Sequence, residues 1–532
     1  MRTLETVEPR VPAGDPAARA TDGARAARME VGALLISILI IAVCGLIYEL
    51  IIGSLSSYLL GDSVYQFSLT LGFFLSAMGL GSFLSRAVRD HLLRVFLLVE
   101  IAIGVLGGGS AAALFVAYSL FPRSYAIIMI ATLVVLGTLI GLEIPLLTRI
   151  ARRYGSLRDT LANVLAVDYL GALVAAILFP LVLLPYLGLT RTSFLVGVFN
   201  LGVVGINLRV FGVGLPGARR IAIGTVGALG LLGLGALQSD ALSSLVEQRL
   251  YQDQILYAEQ SPYQRIVVTS YQDDLRLYLD RELQFSSRDE YRYHEALVHP
   301  ALSLAPSRAT VLVIGGGDGL AAREILKYPD VGAVTLVDLD PAVPRLGRTF
   351  GPLVALNGGS LNDPRLHEVT GDGYQYLAAS AERFPVIITD LPDPRNEGLA
   401  KLYSREFYRL VQQHLARGGI YVQQTSSPYF VRQAYWCAIH TATAAGLAVQ
   451  PYHAYVPSFG DWGFLLASDP ADRRIDWAQV TVRVPTRFLT PAILPTLVQF
   501  DPDSADLATD VSTLQNPVIL RYYLDAWRRW RG

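Results

Sequence analysis

The fold of the second half of the chain follows from one stretch, Val311-Leu-Val-Ile-Gly-Gly-Gly-Asp-Gly319. The consecutive apolar residues at its start are typical of a strand that is buried on both faces of a sheet. The glycines that follow permit a tight turn and close approach of a ligand, and a helix is predicted from there to Tyr328. A buried strand, a glycine-rich turn and a helix in this order predict one unit of a doubly wound parallel sheet.

Three further strands are predicted along the chain, and an acidic residue stands where each of them ends. The second strand is followed by Asp338, the third by Gly371-Asp372-Gly373 and the fourth by Asp390. Ligands of doubly wound sheets bind at the carboxyl ends of the strands, so these residues and Asp318 are predicted to surround one site. Any one of these acids alone is more often a turn or helix-cap residue, and only the set indicates a site.

The chemistry of these acids favours a positively charged nucleoside over a dinucleotide. Glycine-rich turns occur in both dinucleotide and adenosyl-sulfonium sites. The Asp318 carboxylate within the turn would repel a pyrophosphate and attract a sulfonium or an amine. Asp338 lies 20 residues further on, which is the spacing of a carboxylate that binds ribose hydroxyls. Asp372 is suited to accept a hydrogen bond from an adenine amino group.

The loop after the fourth strand, Asp390-Leu-Pro-Asp393-Pro, holds two carboxylates on a backbone stiffened by proline. One carboxylate is suited to bind an ammonium group, and the other to accept a proton from an attacking amine. The alternative interpretation is a plain Asp-Pro turn with no part in catalysis.

The first half of the chain is strongly hydrophobic and predicts a membrane domain. Of the 532 residues, 52% are hydrophobic and 17% are charged, whereas a soluble domain carries about 25% charge. A membrane-spanning helix needs about 20 apolar residues, and seven runs are close to that length or longer. They lie at 31–53, 64–85, 92–120, 125–148, 161–187, 192–211 and 219–238. The net charge of −1 gives no basis for nucleic-acid binding.

Four acidic residues fall inside the apolar runs. An ionised side chain is costly in a bilayer and by default indicates a function, and no arginine lies mid-run to pair with them. We therefore predict a candidate intramembrane cation site that is formed by Glu49, Glu100, Glu143 and Asp168. The alternatives are that Glu49 lies near the membrane interface, or that some of the acids are protonated or paired with arginine.

Together, the motifs of the second half resemble those of the spermidine synthase family of aminopropyltransferases. The resemblance covers residues 257–468, and the hydrophobic half resembles the membrane-anchored bacterial branch of that family. The matching stretches, in the order of the family, are Ser261-Pro-Tyr-Gln264, Asp289-Glu-Tyr-Arg-Tyr-His-Glu295, Val311–Gly319, Val337-Asp-Leu-Asp-Pro341, Asp363-Pro-Arg365, Gly371-Asp-Gly373 and Asp390-Leu-Pro-Asp-Pro394.

This resemblance implies polyamine biosynthesis. An aminopropyl group passes from decarboxylated S-adenosylmethionine, the co-substrate, to putrescine or a similar diamine, giving spermidine and 5′-methylthioadenosine. No cofactor is bound permanently, and no metal is needed because the sulfonium is already activated. The resemblance assigns the donor to Gln264, Gly315, Gly317, Asp318, Asp338, Asp372 and Gly373, catalysis to Asp390, and the amine to Tyr293, His294, Asp393 and Tyr455. Soluble relatives form dimers or tetramers, which implies a homo-oligomer.

Departures from the family pattern leave the acceptor amine and other functions open. Small hydroxyl residues often follow the first Asp of the catalytic loop, but here Leu391 and Pro392 do, and the segment 453–463 is shorter than in soluble relatives. One alternative is an S-adenosylmethionine-dependent amine N-methyltransferase, although Asp318 would face the carboxylate of the intact donor. The other is a membrane polyamine transporter or sensor with a nucleoside-binding domain.

Two arguments about the side of the membrane oppose each other. Arginines cluster before the first run and in alternate connections, whereas the remaining connections hold only Arg123 and Arg191, so the N-terminus is predicted in the cytoplasm. Seven crossings would then place everything after residue 240 outside, where the nucleoside donor is scarce. We give the donor more weight and expect a multi-pass protein of the cell (inner) membrane whose catalytic domain faces the cytoplasm, with one run re-entrant or crossing twice.

The predicted architecture is a multi-pass helical membrane domain, followed by a small β-sheet and a Rossmann-like, methyltransferase-type domain. The predicted segments are a disordered lead at 1–28, the membrane domain at 29–240, the small sheet with a linking helix at 241–305, the Rossmann-like domain at 306–470 and a C-terminal extension at 471–532.

Overall fold

The computed structural model describes residues 16–60, 63–152, 156–213, 215–251, 253–472 and 474–531, with the backbone alone for 16–28, 63, 157, 240, 242–246 and 531. The chain divides into two compact units, Met1–Leu250 and Tyr251–Gly532.

The first unit is helical, because an apolar segment in a bilayer must satisfy its backbone hydrogen bonds internally. Its helices are α1 (Pro16–Leu60), α2 (Ser63–Leu84), α3 (Leu92–Leu120), α4 (Tyr125–Ala151), α5 (Leu157–Leu178), α6 (Leu184–Phe211), α7 (Ala218–Leu237) and α8 (Ser239–Tyr251). Helix α1 begins within the predicted disordered lead, since residues 16–28 are rich in alanine, a strong helix former. The rest of that lead, residues 1–15, lies outside the described residues.

Glycines let helices of this unit pack backbone to backbone. A Cβ atom on Gly81 would lie 2.0 Å from the carbonyl oxygen of Thr138, and one on Gly141 would lie 2.1 Å from that of Met78. No larger residue fits at either position without separating α2 from α4. Such small-residue contacts are typical of helices that associate in membranes.

By length and composition, six helical stretches of the described residues are suited to cross a membrane, one fewer than the runs predicted from the sequence. The difference arises because the runs 161–187 and 192–211 lie in one stretch of 54 residues, Arg158–Phe211. Gly188 lies inside this stretch with φ 69° and ψ 175°, a conformation that glycine tolerates and that interrupts a helix.

Contacts with α1 show the direction of α5. Val164, near the start of α5, lies in a hydrophobic cluster with Leu34, Ile38 and Ile41 of α1. Ala175, near the end of α5, lies in a different cluster with residues of α1 from Cys44 to Leu59, and between them a Cβ atom on Gly171 would lie 2.6 Å from that of Ala42. Residue numbers therefore rise together in the two helices, so α5 runs parallel to α1.

Helix α6 runs the other way. The Cys44 thiol donates to the Val196 carbonyl oxygen at 3.7 Å, and the Asn207 amide donates to the Ser37 hydroxyl at 2.7 Å. Residue numbers on α6 rise while those on α1 fall, so α6 is antiparallel to α1. The chain therefore reverses direction near Gly188, between α5 and α6.

The second unit holds two sheets. A four-stranded antiparallel sheet contains β1 (Gln254–Gln260), β2 (Arg265–Tyr271), β3 (Asp274–Leu279) and β4 (Glu282–Ser286) in that order. The seven strands of the larger sheet are β5 (Thr310–Gly315), β6 (Ala333–Asp338), β7 (Leu366–Thr370), β8 (Phe384–Asp390), β9 (Leu415–Gln424), β10 (Ala448–Val456) and β11 (Gly460–Ser468). The helices are α9 (Glu290–Leu304), α10 (Leu320–Leu326), α11 (Ala342–Thr349), α12 (Gly351–Asn357), α13 (Gly373–Ala379), α14 (Glu397–Ala400), α15 (Arg405–His414), α16 (Arg432–Ala444) and α17 (Val518–Arg531).

The order of the larger sheet is β10-β11-β9-β8-β5-β6-β7. Strands β5 to β9 are parallel to one another. At one edge of the sheet, β11 pairs antiparallel with β9, and β10 pairs antiparallel with β11. This confirms the predicted doubly wound sheet. Because the chain leaves β5 toward β6 on one side and returns to β8 on the other, the ligand crevice lies at the carboxyl ends of β5 and β8.

Hydrophobic clusters cover both faces of the larger sheet, since neighbouring residues of β5 point to opposite faces. One cluster holds Leu312 with Val518 and Ile519 of α17, and the other holds Val311 with Leu494. The segment after residue 470 is thus part of both cores, and it brings α17 to the sheet.

Candidate active site

A cavity of about 470 Å³ opens at the carboxyl ends of β5, β6 and β8. It is lined by residues from both sheets of the second unit and from α17. Of the residues predicted for the site, 11 line it: Gln264, Tyr293, His294, Gly315, Gly317, Asp318, Asp338, Asp372, Gly373, Asp390 and Asp393.

Tyr455, predicted at the amine end, is not among the residues that line this cavity. Side chains alternate along β10, so Tyr452 and Ala454 point into the core while Tyr455 is 60% exposed. His453 of the same strand is hydrogen-bonded to Asp461 at 2.5 Å and is not among the residues that line the cavity. The structure therefore places Tyr455 apart from the other residues predicted for the amine end.

The glycine turn requires glycine for steric reasons. Gly315 and Gly316 have φ of 81° and 69°, and a Cβ atom on Gly315 would lie 2.0 Å from the carbonyl oxygen of Asp390. A Cβ atom on Gly317 would lie 2.5 Å from Asp338 Oδ2. The Gly316 amide donates to the Asp390 carbonyl at 3.0 Å, which joins the ends of β5 and β8. The absence of side chains lets both carboxylates approach the turn.

Asp338 is held by the backbone at the end of β6. Its carboxylate accepts hydrogen bonds from the amides of Gly317 at 3.1 Å and Asp340 at 3.0 Å, while burial raises its pKa to about 7. The Gln264 amide donates to Asp340 Oδ2 at 3.0 Å. The Ser261 hydroxyl donates to the same Asp340 oxygen at 2.6 Å, so the loop after β1 is tied to the end of β6.

Asp372 is the N-cap of α13, where its carboxylate accepts from the amides of Tyr374 at 2.9 Å and Gln375 at 3.1 Å. The Lys401 ammonium forms an ion pair with the other oxygen of Asp372. Lys401 is one of the two lysines of the chain, and it also lines the cavity. The Lys401 ammonium therefore lies beside the carboxylate that is predicted to recognise adenine.

Asp390, predicted as the catalytic residue, and Tyr293, predicted for the amine, are in direct contact. The Tyr293 hydroxyl donates to Asp390 Oδ1 at 2.6 Å. Burial raises the pKa of Asp390, and this hydrogen bond and the nearby His294 oppose that rise. A buried carboxylate with a raised pKa that is oriented by a tyrosine is suited to accept a proton.

The protonated form of His294 is favoured by Glu290, one turn earlier on the same helix α9. Its Nδ1 atom is bonded to the Glu290 carboxylate at 2.9 Å, and Arg323 holds the two oxygens of that carboxylate at 2.9 Å each. Burial lowers the pKa of His294, but the hydrogen bond and the charge of Glu290 outweigh it and raise the pKa to about 9. His294 is therefore an imidazolium at neutral pH. Glu290 and Arg323, which fix this state, were not singled out from the sequence.

Asp318 is a third charged group of the site, besides His294 and Asp390. Burial raises its pKa to about 6, the His294 cation opposes that rise, and the charge of Asp390 adds to it. Its Oδ1 atom accepts a hydrogen bond from the Leu320 amide at 2.9 Å, at the start of α10. At pH 7 the site therefore holds an ionised, buried carboxylate that attracts cations.

The amine end of the cavity contains Asp393. Its Oδ2 atom accepts from the Ser426 hydroxyl at 3.0 Å, and its buried Oδ1 atom accepts no hydrogen bond from the described residues. Burial raises the pKa of this carboxyl to about 7. Such an acceptor atom is suited to an ammonium group.

The four acids of the membrane unit do not form one group. The carboxyls of Glu100 and Glu143 are buried and adjacent, and the Asn200 amide donates to Glu100 Oε2 at 3.0 Å. Asp168 lies on α5 and is partly exposed. Glu49 is buried on α1, and no hydrogen bond joins it to this pair within the described part of the chain.

Comparisons with known proteins show the family of this chain. A family model described as the spermine/spermidine synthase domain matches residues 290–476. A protein of Ralstonia nicotianae named polyamine aminopropyltransferase 2 is 48% identical over 503 residues, which are 93% of this chain and 98% of that protein. A polyamine aminopropyltransferase of Leptospira interrogans is 41% identical over 498 residues, 93% of this chain and 99% of that one. The chain belongs to the spermine/spermidine synthase family.

Among solved structures, a spermidine synthase in complex with the transition state analogue AdoDATO is 26% identical, with a TM-score of 0.43. That match covers 47% of this chain and 86% of the solved one.

Proposed function

We infer that this chain is a polyamine aminopropyltransferase that acts in spermidine biosynthesis. One observation carries the inference beyond the family membership: Asp318 and Asp390 follow the adjacent strands β5 and β8 and line one cavity beside a glycine turn. The first is suited to a cationic donor, and the second to a base. The relatives named above as polyamine aminopropyltransferases match both halves of the chain.

In this proposal, the reaction is a direct displacement at carbon. The neutral nitrogen of putrescine attacks the aminopropyl carbon next to the sulfonium of decarboxylated S-adenosylmethionine. As the new C–N bond forms, the C–S bond breaks and its electron pair stays on sulfur, which leaves 5′-methylthioadenosine. The attacking nitrogen becomes a secondary ammonium as the bond forms, and Asp390, oriented by Tyr293, accepts one of its protons. The protein mainly aligns the nucleophile and the carbon.

We assign the two substrates to opposite ends of the cavity. Asp338 faces the ribose, Asp372 with Lys401 faces the adenine, and Asp318 faces the aminopropyl ammonium of the donor. An intact donor carries a carboxylate where Asp318 is ionised, and the like charges disfavour it. Asp393 and His294 belong to the amine end, where Asp393 Oδ1 is open to an ammonium donor.

The test is the nucleoside product of the purified full-length protein. Putrescine is supplied with either decarboxylated or intact S-adenosylmethionine, and the product is identified by mass. We expect 5′-methylthioadenosine from the decarboxylated donor. S-adenosylhomocysteine from the intact donor would mean methyl transfer instead, and no product with any diamine would favour a sensor or transporter.

For the membrane unit we propose seven crossings. The reversal near Gly188 supports this number, because it divides the stretch Arg158–Phe211 into two helices of opposite direction. An odd number of crossings puts residues 29 and 238 on opposite faces. The nucleoside donor favours a cytoplasmic catalytic domain, and the arginine distribution favours the other side. Reporter fusions after residues 28 and 532 test both the number of crossings and the side of the catalytic domain. Reporters on opposite sides of the membrane support seven crossings, and reporters on the same side contradict them.

We also propose that Glu100 and Glu143 bind a cation within the membrane unit. Both side chains are at most 1% exposed, and no arginine or lysine forms an ion pair with either one among the described residues. Two adjacent buried carboxyls favour a cation or a shared proton. In proteoliposomes, uptake of labelled putrescine should be lost in Glu143→Gln and kept in Glu49→Gln, which changes an acid outside the pair. Equal uptake by both variants would contradict this role.

A further inference from the structure

The C-terminal helix α17 reaches the same cavity as the catalytic loop. Tyr523 and Trp527 are four residues apart and therefore share one face of this helix, and both line the cavity together with Asp390 and Asp393. The family model ends at residue 476, so this helix lies beyond the segment that the family defines.

Aromatic packing holds Trp527 in place. Its ring stacks on Phe430 with centroids 6.1 Å apart and an angle of 17° between the planes. Tyr523 meets it edge to face at 6.3 Å, and Tyr523 itself is 5% exposed. The start of α17 is fixed in the core by Val518 and Ile519. The position of the two rings is therefore set by the fold rather than by a mobile terminus.

Acidic groups outnumber basic ones around these rings. Burial raises the pKa of Tyr523, the neighbouring carboxylates Asp393 and Glu282 raise it further, and Arg395, which is paired with Asp280 at 3.2 Å, lowers it. Asp393 Oδ1 is buried and accepts no hydrogen bond from the described residues. Carboxylates beside aromatic faces are the surroundings that an alkyl ammonium group prefers, because the rings attract the charge and cover the carbon chain.

We propose that α17 forms the wall that receives the far end of the acceptor amine, and that Trp527 is a specificity-determining residue for it. This rests on the proposed aminopropyl transfer. In this arrangement Asp390 meets the attacking nitrogen, Asp393 meets the far ammonium group, and Trp527 limits the length of the carbon chain between the two nitrogens.

The test compares variants of one helix in the full-length protein. Trp527→Ala removes the wall, Trp527→Phe keeps an aromatic face, and Trp530→Ala removes a tryptophan that packs on the same Phe430 but does not line the cavity. We expect Trp527→Ala to raise the KM for putrescine about 10-fold, a loss typical of one cation–π contact. The KM for the donor should change less than about 2-fold, and Trp527→Phe should recover most of the loss. The selectivity for cadaverine over putrescine should rise in Trp527→Ala.

Three results would overturn the proposal. They are an unchanged KM for putrescine in Trp527→Ala, an equal rise for donor and acceptor, or the same effect in Trp530→Ala. A wild-type protein that forms no 5′-methylthioadenosine with any diamine would instead overturn the proposed reaction, and this inference with it. If Trp527→Ala does not fold, Trp527→Leu, which keeps an apolar side chain but removes the aromatic face, is compared with Trp530→Leu, and only Trp527→Leu should raise the KM for putrescine.

Discussion

Replacing Asp318 by Asn should make the protein more stable and less active. Burial raises the pKa of Asp318 from its ordinary value of 3.8 to about 6. A carboxyl whose pKa is higher in the folded state loses stability as the pH rises from about 4 to about 6, because the folded state must then ionise a buried group. At pH 7 the whole cost is present and amounts to about 3 kcal/mol.

The amide side chain that Asp318→Asn introduces has no charge to bury, so the Tm of the free protein should rise by about 5 °C. In this variant, however, the aminopropyl ammonium of the donor loses the carboxylate that it pairs with. An ammonium group at about 4 Å from a carboxylate gains about 4 kcal/mol at an effective dielectric constant near 20, and an amide keeps part of this through hydrogen bonding. We expect a loss of about 2 kcal/mol, which corresponds to about 30-fold in kcat/KM for the decarboxylated donor.

Thermal unfolding without ligand and steady-state kinetics with both donors measure the two effects. Asp330→Asn is the matched control, because Asp330 lies on the surface, is paired with Arg308 at 2.7 Å and does not line the cavity. It should change neither quantity appreciably. A lower Tm for Asp318→Asn, or an unchanged kcat/KM for the decarboxylated donor, would refute the assignment of a buried charge that binds the donor.

Three further changes test other parts of the site. Gly315→Ala places a Cβ atom 2.0 Å from the Asp390 carbonyl at a φ of 81°, and it should cost about 3 kcal/mol or more, seen as a lower Tm together with lost donor binding. Tyr293→Phe removes the 2.6 Å hydrogen bond that favours ionised Asp390, so the acid limb of kcat should move to higher pH and kcat should fall about 10-fold; an unmoved limb argues against Asp390 as the base. Glu290→Gln should lower the pKa of His294 from about 9, as followed by NMR of labelled histidine, whereas Glu324→Gln, which removes another partner of Arg323, should not.

The strand ends of the second unit were predictable because they depend on local patterns. Apolar runs that end in glycine or acid occur at β5, β6 and β8, and a parallel sheet necessarily brings such ends together. The order β9-β8-β5-β6 then makes Asp318 and Asp390 neighbours. Local patterns do not show which side chains of β10 face inward, and Tyr455 is exposed on that strand.

Contacts between distant segments were not predictable. Lys401 pairs with Asp372 across 29 residues, and Trp527, on a helix near the end of the chain, lines the same cavity as Asp390. Nothing in their local sequence indicates a site. In the membrane unit the hydrophobic pattern predicted the helices, but the pairing of Glu100 with Glu143 depends on how α3 and α4 pack, and Glu49 lies apart from them.

The central claim is that Asp390 accepts the proton of the attacking amine while the donor is held elsewhere. A single-turnover measurement tests this directly: enzyme loaded with decarboxylated S-adenosylmethionine is mixed with putrescine, and 5′-methylthioadenosine is followed in time. The account predicts that Asp390→Asn slows this step by about 10²- to 10⁴-fold with donor affinity nearly unchanged. A normal single-turnover rate in Asp390→Asn would contradict it.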